Sequence, residues 1–169
     1  MINLARSLIF ELLRFVLTVV FSIIALLTFP LSPIRRYQII TLWSHCITFL
    51  ARYICGIRYR VQGLENIPDN PCVILSKHQS AWETFAFQTI FPPQVWVLKK
   101  SLLFVPFFGW GLAMMNPIAI DRTSGPRALK QMLTQGKNRL KNGWYIIVFP
   151  EGTRIAPGLF NGKSSQCKS

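Results

Sequence analysis

The sequence is poor in acidic residues and in the residues that build metal centres. Its 169 residues include only six Asp and Glu, four Cys and two His. The cysteines at positions 46, 55, 72 and 167 form no CxxC pair. We therefore expect no metal site and no disulfide framework, and a reducing compartment fits better. The sequence contains no internal repeat and no low-complexity segment.

Apolar and basic residues are abundant. Hydrophobic residues make up 51% of the chain, which excludes an intrinsically disordered protein. Only 15% of the residues are charged, too few to cover an ordinary soluble domain with a polar surface. The 19 Lys and Arg give a formal net charge of +13, which favours an anionic partner.

The first apolar segment, residues 8–29, is long enough to cross a membrane. It contains fifteen consecutive uncharged residues, Phe15 to Phe29, and at about 1.5 Å per residue the whole segment is long enough for the roughly 30 Å of a hydrocarbon core. Glu11 and Arg14, three residues apart, can pair on a helix. We predict a transmembrane or half-inserted helix that ends at Pro30 and Pro33. A secretory signal is the less favoured alternative, because no small-x-small cleavage site follows.

The second apolar segment, residues 39–54, has the pattern of an amphipathic helix. Its polar stripe consists of Thr41, His45, Thr48 and Arg52, opposite Ile40, Trp43, Ile47, Leu50 and Ile54. His45 then lies on a polar face and receives no catalytic role. Basic residues follow both apolar segments, at Arg35-Arg36 and Arg58-x-Arg60. The positive-inside rule therefore disfavours a second crossing, and an interfacial helix fits better.

From residue 57 onward the pattern predicts an α/β domain. Short apolar runs at 73–75, 95–98, 117–120 and 145–149 are typical of buried strands, and helical patterns cover 81–91 and 126–140. The alternation indicates a mixed, mostly parallel sheet with helices on both faces. The predicted organisation is a membrane-associated segment (1–56), a catalytic domain (57–160) and a disordered tail (161–169).

The charge of the second part suggests a membrane surface as its partner. Residues 57–169 carry fourteen basic and five acidic side chains, and each Lys or Arg near an anionic leaflet is worth about 1 kcal/mol. Nucleic acid is disfavoured, because the basic residues form no dense cluster interleaved with aromatics and an N-terminal anchor suits DNA binding poorly.

The first candidate site is Ser76-Lys77-His78-Gln79-Ser80-Ala81-Trp82-Glu83, directly after a predicted strand. Ser80 and Glu83 have the spacing of a helix capping box, so an incidental histidine before a capped helix is one interpretation. In the other, the Glu83 carboxylate orients the His78 ring and stabilises its protonated form. The spacing alone does not decide between the two interpretations. Because a carboxylate has two oxygens, Glu83 could cap the helix and also contact the His78 ring.

The second candidate site is Pro150-Glu151-Gly152-Thr153-Arg154, where another predicted strand ends. An arginine in such a loop offers a planar fork for phosphate, and Glu151 could hold that fork or accept a substrate hydroxyl. An Arg-Glu pair that merely closes a turn is the alternative. Between the two sites lie Lys99-Lys100, the aromatic-glycine run Phe107 to Gly111, and Ile118-Ala119-Ile120-Asp121-Arg122, each a weak signal by itself.

Together and in this order, the blocks resemble the glycerolipid acyltransferases, and most of all the bacterial 1-acyl-sn-glycerol-3-phosphate acyltransferases. The resemblance covers about residues 57–158. It implies transfer of an acyl group from acyl carrier protein or coenzyme A to the sn-2 hydroxyl of a lysophosphatidic acid at the bacterial inner membrane. The catalytic domain would face the cytoplasm.

The resemblance also implies roles for individual residues. His78 would be the general base and Glu83 its orienting partner. Arg154, assisted by Lys100 and Arg122, would bind the phosphate, while Glu151, Gly152 and Thr153 would shape the glycerol site. Because a thioester donor is already activated, no metal or organic cofactor is expected.

Two features depart from the family pattern. The position of Glu83 is usually Asp, and we expect the longer acid to keep the role. The family also continues with a Gly-rich basic segment, a helix and a further apolar strand, which suggests that this catalytic domain lacks its last third. An inactive membrane-associated remnant is therefore the alternative to an active enzyme, and an acyltransferase for another lysolipid is a second.

Overall fold

The structure, a computed structural model, describes residues 2–155. The tail predicted at 161–169, and the last residues of the predicted catalytic domain, lie outside the described residues. Two long helices come first, and a four-stranded sheet with three further helices follows.

The two N-terminal helices run antiparallel. They are α1 (Ile2–Leu27) and α2 (Pro33–Ile54), and Arg6 Nε of α1 donates a 2.6 Å hydrogen bond to the carbonyl oxygen of Ile54 at the end of α2. Both begin earlier than the apolar segments predicted them to begin. Pro33 does not end the first helix as predicted but starts the second, where a residue without an N–H group costs no hydrogen bond.

Helix α1 is the part of the described chain that suits a bilayer. Residues Asn3–Leu27 are long and apolar enough to cross a membrane, with a mean hydropathy of 2.3. Most of their side chains are exposed, unlike those of a core helix. The predicted pair of Glu11 and Arg14 is confirmed, with Arg14 Nε donating to Glu11 Oε2 at 3.0 Å.

The faces of α2 differ from the predicted ones. Thr41, assigned to the polar stripe, is buried, and its hydroxyl donates to the Tyr37 carbonyl oxygen at 2.9 Å, which satisfies its polarity inside the protein. His45 is exposed as predicted. Leu42, Phe49 and Tyr53 are each more than half exposed, so the outer side of α2 is largely apolar.

The sheet is parallel throughout its described strands. They are β1 (Val73–Leu75), β2 (Gln94–Lys99), β3 (Ile118–Ile120) and β4 (Tyr145–Val148), in the order β1-β4-β2-β3. β4 lies between β1 and β2, with Leu75 opposite Val148 and Val95 opposite Ile146. The strands and helices predicted from residue 57 onward are confirmed to within one residue at each end.

Alternating side chains of the sheet enter two cores, one on each face. Val95 and Ile146 belong to a cluster completed by α5 (Pro126–Lys141) and by the ends of α1 and α2. Trp96 and Ile147 belong to a second cluster, together with Phe87 of α3 (Trp82–Ile90). Helices thus cover both faces, as the strand and helix alternation predicts.

The aromatic-glycine run is a helix that the sequence analysis missed. After a 3₁₀ segment at Lys100–Phe104, α4 spans Phe108–Met114 and packs against α1. A Cβ on Gly109 would lie 2.3 Å from the Leu103 carbonyl oxygen. The close approach of α4 to the 3₁₀ segment therefore requires glycine at this position.

Candidate active site

Both predicted sites lie at the carboxyl edge of the sheet, on neighbouring strands. β1 and β4 are adjacent and parallel, so the loops that follow them emerge side by side. Two backbone hydrogen bonds join these loops: Ser76 N donates to the Val148 carbonyl oxygen at 3.1 Å, and Ile155 N donates to that of His78 at 2.8 Å. The topology therefore brings together two blocks that are more than seventy residues apart in the sequence.

Glu83 caps the helix and also contacts the histidine. Its Oε1 accepts from the backbone N–H groups of Gln79 and Ser80 at 3.2 and 3.0 Å, and its Oε2 lies 3.3 Å from His78 Nδ1. The carboxylate thus contacts both the start of the helix and the histidine ring. Only half of the predicted capping box forms, because α3 starts at Trp82 and the Ser80 hydroxyl accepts from Trp82 N instead of Glu83 N.

His78 is held on more than one side. Its ring stacks on the Phe149 ring, with centroids 4.1 Å apart and planes 15° from parallel. The side chains of His78 and Glu83 are 16% and 18% exposed. No described residue donates to or accepts from Nε2, and His78 is one of the residues that line a cavity.

A cavity of about 550 Å³ connects the two motifs to the N-terminal helices. At one end it is lined by His78, Gly152, Thr153 and Arg154. Its other walls are mostly apolar and include side chains of α1, α2 and α4: Phe21, Ile40, Trp43, Phe108 and Leu112. A cavity with polar groups at one end and apolar walls suits an amphiphilic ligand.

The two lysines at the end of β2 differ in their relation to the cavity. Lys100 is exposed at the start of the 3₁₀ segment and is not among the lining residues, whereas its neighbour Lys99, at the end of β2, lines the cavity. The sequence analysis missed Lys99. Its position directly after the predicted strand at 95–98, at the edge where ligands bind, is the signal that could have found it.

Glu151 does not pair with Arg154. No ion pair joins the two among the described residues, and Glu151 Oε2 is buried without a hydrogen-bond partner there. The turn between them is closed by Gly152, whose N–H donates to the Phe149 carbonyl oxygen at 3.0 Å and whose φ of +66° favours glycine.

Arg122 follows β3 at the same edge of the sheet, in a 3₁₀ segment that starts with Asp121 as its N-cap. The hydroxyl and backbone N–H of Thr123 both donate to Asp121 Oδ1, at 2.7 and 3.0 Å. These bonds stabilise the carboxylate and hold the pKa of Asp121 below its usual value. The segment that carries Arg122 is thereby fixed at its start.

Comparison with known proteins places this arrangement in one family. A sequence model of the Acyltransferase family matches residues 58–166. A 1-acyl-sn-glycerol-3-phosphate acyltransferase of Pseudomonas aeruginosa is 48% identical over 163 residues, which cover 95% of this chain and 63% of that protein. One of Saccharomyces cerevisiae is 35% identical over 112 residues, 66% of this chain and 37% of that protein.

A solved structure has the same fold. The crystal structure of the 1-acyl-sn-glycerophosphate (LPA) acyltransferase from Thermotoga maritima matches with a TM-score of 0.72 and 24% identity, over 94% of this chain and 64% of that one. The chain thus spans less than two thirds of the length of each of these relatives. Because the family model matches well over half of it, the chain belongs to the Acyltransferase family.

Proposed function

We propose that this protein transfers a fatty acyl group from an acyl thioester to the sn-2 hydroxyl of 1-acyl-sn-glycerol-3-phosphate, giving phosphatidic acid. One observation carries the proposal: a carboxylate-paired histidine and an arginine share the polar end of a mostly apolar cavity. The names of the relatives support the same substrate and product.

In the proposed reaction, Nε2 of His78 accepts the proton of the sn-2 hydroxyl as its oxygen attacks the thioester carbonyl carbon. The tetrahedral intermediate collapses with cleavage of the C–S bond, and the imidazolium returns the proton to the departing thiolate. Glu83, facing Nδ1, favours the tautomer that leaves Nε2 free to accept and stabilises the positive charge that forms on the ring. A positioned base of this kind contributes about 10² to 10⁴ in rate.

The phosphate would bind at the basic side of the same end. Arg154 lines the cavity within the loop that carries Gly152 and Thr153, and its guanidinium can bind two phosphate oxygens at once. Lys99 lines the cavity as a further cation, while Lys100 and Arg122 belong to segments at the same sheet edge. Glu151 and Gly152 would shape the glycerol site from the turn.

The apolar walls suit the hydrocarbon chains of a lipid substrate. They continue to α1, so that a bilayer-inserted α1 would place the cavity where lipid enters from the membrane. The proposed location is the bacterial inner membrane with the sheet on the cytoplasmic side, where anionic headgroups attract the basic domain. Acyl carrier protein or coenzyme A would deliver the acyl group there.

The test is acyl transfer by membranes that contain the full chain, with labelled lysophosphatidic acid and either acyl-coenzyme A or acyl carrier protein as donor. We expect phosphatidic acid from the native chain and a loss of at least about a hundredfold in kcat for His78→Ala. His45→Ala is the matched control, since it removes the other histidine, which is exposed on α2. Equal turnover by the two variants would refute the mechanism.

A panel of acceptors tests the substrate assignment separately. Lysophosphatidic acid, lysophosphatidylglycerol and a monoacylglycerol differ in the group that Arg154 would bind. Preference for lysophosphatidic acid is expected, and a preference for either other acceptor would move the protein to another lysolipid acyltransferase activity. Absence of product with every acceptor and both donors would favour the inactive remnant.

A further inference from the structure

We propose that Phe149 is a positioning residue for His78: stacking against its aromatic ring holds the imidazole in the plane that directs Nε2 at the acceptor hydroxyl. The inference rests on the proposed acyltransferase function and extends it to a residue outside the acid, base and phosphate-binding groups.

The contact of His78 with Glu83 is too weak to fix the ring by itself. At 3.3 Å the Nδ1 to Oε2 distance is at the long end for a hydrogen bond of this type. The same carboxylate also accepts from the backbone N–H groups of Gln79 and Ser80, so its attraction is shared. One long in-plane contact selects a ring nitrogen but leaves the tilt of the ring plane weakly restrained.

The stack on Phe149 restrains the motion that Glu83 does not. The two rings are nearly parallel, with an interplanar angle of 15° and centroids 4.1 Å apart. Any tilt of the imidazole plane would press it into the phenyl face or open a gap beside it, and either change loses dispersion contacts. A phenyl face also attracts the positive ring that forms when His78 accepts a proton.

Phe149 is itself held from behind. Its ring contacts the rings of Trp96 and Phe87, with centroids 5.6 and 6.4 Å away, and Trp96 is only 7% exposed. Its carbonyl oxygen accepts from Gly152 N at 3.0 Å, and the neighbouring bond from Ile155 N fixes the backbone of His78. The phenyl ring is therefore a rigid surface and not a mobile side chain.

The test compares two Phe→Leu variants of the full chain in membranes. Phe149→Leu removes the stack, whereas Phe91→Leu removes a ring from the same apolar cluster that is not among the cavity-lining residues. We expect Phe149→Leu to lower kcat by about tenfold to a hundredfold with little change in KM for lysophosphatidic acid. Phe149→Tyr should restore most of the loss, and Phe91→Leu should not reproduce it.

A second measurement does not depend on activity. With only two histidines in the chain, NMR of a histidine-labelled sample in detergent resolves each ring, and His45 is the internal reference. The ring current of Phe149 should displace the His78 ring protons, and Phe149→Leu, or Phe149→Met if the leucine variant does not fold, should abolish the displacement.

The outcomes separate this proposal from the proposed function. A His78 ring whose proton shifts do not respond to replacement of Phe149 overturns the positioning role, even in an active enzyme. Displaced shifts in a chain without acyltransferase activity would refute the proposed function while leaving the stack in place. Equal losses of kcat in Phe149→Leu and Phe91→Leu would reduce Phe149 to a packing residue.

Discussion

The backbone amide of Ile155 donates to the carbonyl oxygen of His78 across 2.8 Å, and this bond ties the loop after β4 to the loop after β1. The proposed base and the proposed phosphate-binding arginine, Arg154, are thereby carried by one connected unit. A substitution in either loop can consequently alter both proton transfer and phosphate binding.

Replacing Glu83 by Gln should separate its role as a helix cap from its role as a charged partner of His78. The amide oxygen of Gln still accepts from the backbone of Gln79 and Ser80, but the negative charge beside His78 Nδ1 is lost. We expect kcat to fall by about tenfold to a thousandfold, because the tautomer and the protonated ring are no longer stabilised. Glu83→Asp should retain much more activity, and steady-state kinetics on both variants measures the difference.

The control for this prediction is Ser80→Ala. It removes the 3.1 Å hydrogen bond from Trp82 N to the Ser80 hydroxyl, a contact that only supports the start of α3. The free energy of unfolding should fall by about 0.5–1 kcal/mol while kcat stays near the native value. If Ser80→Ala loses as much activity as Glu83→Gln, the effect of Glu83 is structural and the orienting role is wrong.

Arg154 should affect binding of the acceptor more than the chemical step. We expect Arg154→Ala to raise KM for lysophosphatidic acid by about tenfold or more, and Arg154→Lys to recover only part of this, since lysine keeps the charge without the fork. Neither change should alter KM for a monoacylglycerol that lacks phosphate. Lys137→Ala, an exposed position on α5, is the control for loss of one positive charge.

Two glycines of α4 should respond in opposite ways to alanine. At Gly109 the new Cβ would meet the Leu103 carbonyl oxygen at 2.3 Å, so Gly109→Ala should destabilise the protein by about 1–3 kcal/mol. At Gly111 the nearest atom is Ser22 Oγ at 3.7 Å, an ordinary contact, and alanine should be neutral or stabilising in a helix. Thermal unfolding in detergent measures the midpoint temperature of each variant. Similar midpoint temperatures for Gly109→Ala and Gly111→Ala would contradict the close packing at Gly109.

Ser22→Ala tests the connection between α1 and α4. The Ser22 hydroxyl lies 2.7 Å from the carbonyl oxygen of Phe107, whose φ of +61° is unusual for a side chain of its size, and 2.6 Å from that of Thr18 in its own helix. Loss of the Ser22 hydroxyl should lower the free energy of unfolding by about 1 kcal/mol. Thr48→Val, which removes a hydrogen bond within α2, is the comparison. A smaller effect at Ser22 than at Thr48 would show that the contact does not hold Phe107.

The elements of the sheet could be predicted from the sequence because each short apolar run lies between clear turn residues. The strands at Val73–Leu75 and Tyr145–Val148 follow from local pattern alone. Their adjacency does not, since β4 inserts beside β1 only when the whole sheet assembles. The helix at Phe108–Met114 escaped prediction because two glycines and two aromatics in seven residues give no helical pattern.

The candidate site was predicted in parts. The spacing of Ser80 and Glu83 indicated a capping box, of which half forms, and the spacing of His78 and Glu83 allowed the contact that the structure contains. A pairing of Glu151 with Arg154, one of the possibilities that the sequence left open, is absent among the described residues, because sequence proximity in a turn does not fix where two side chains point. Lys99 lines the cavity and Lys100 does not. Which of the two does so depends on the residue at which β2 ends, and the sequence pattern predicts that end only to within one residue.

The strand order has a consequence for how the molecule is made. β1 and β2 leave the ribosome before β4 but have no direct contact as strands, because β4 lies between them. During synthesis α1 and α2 are complete while the sheet still lacks β4, one of its two inner strands. The histidine loop is therefore synthesised well before the strand that pairs with β1, and the β1 edge of the sheet can form only after β4 has been made.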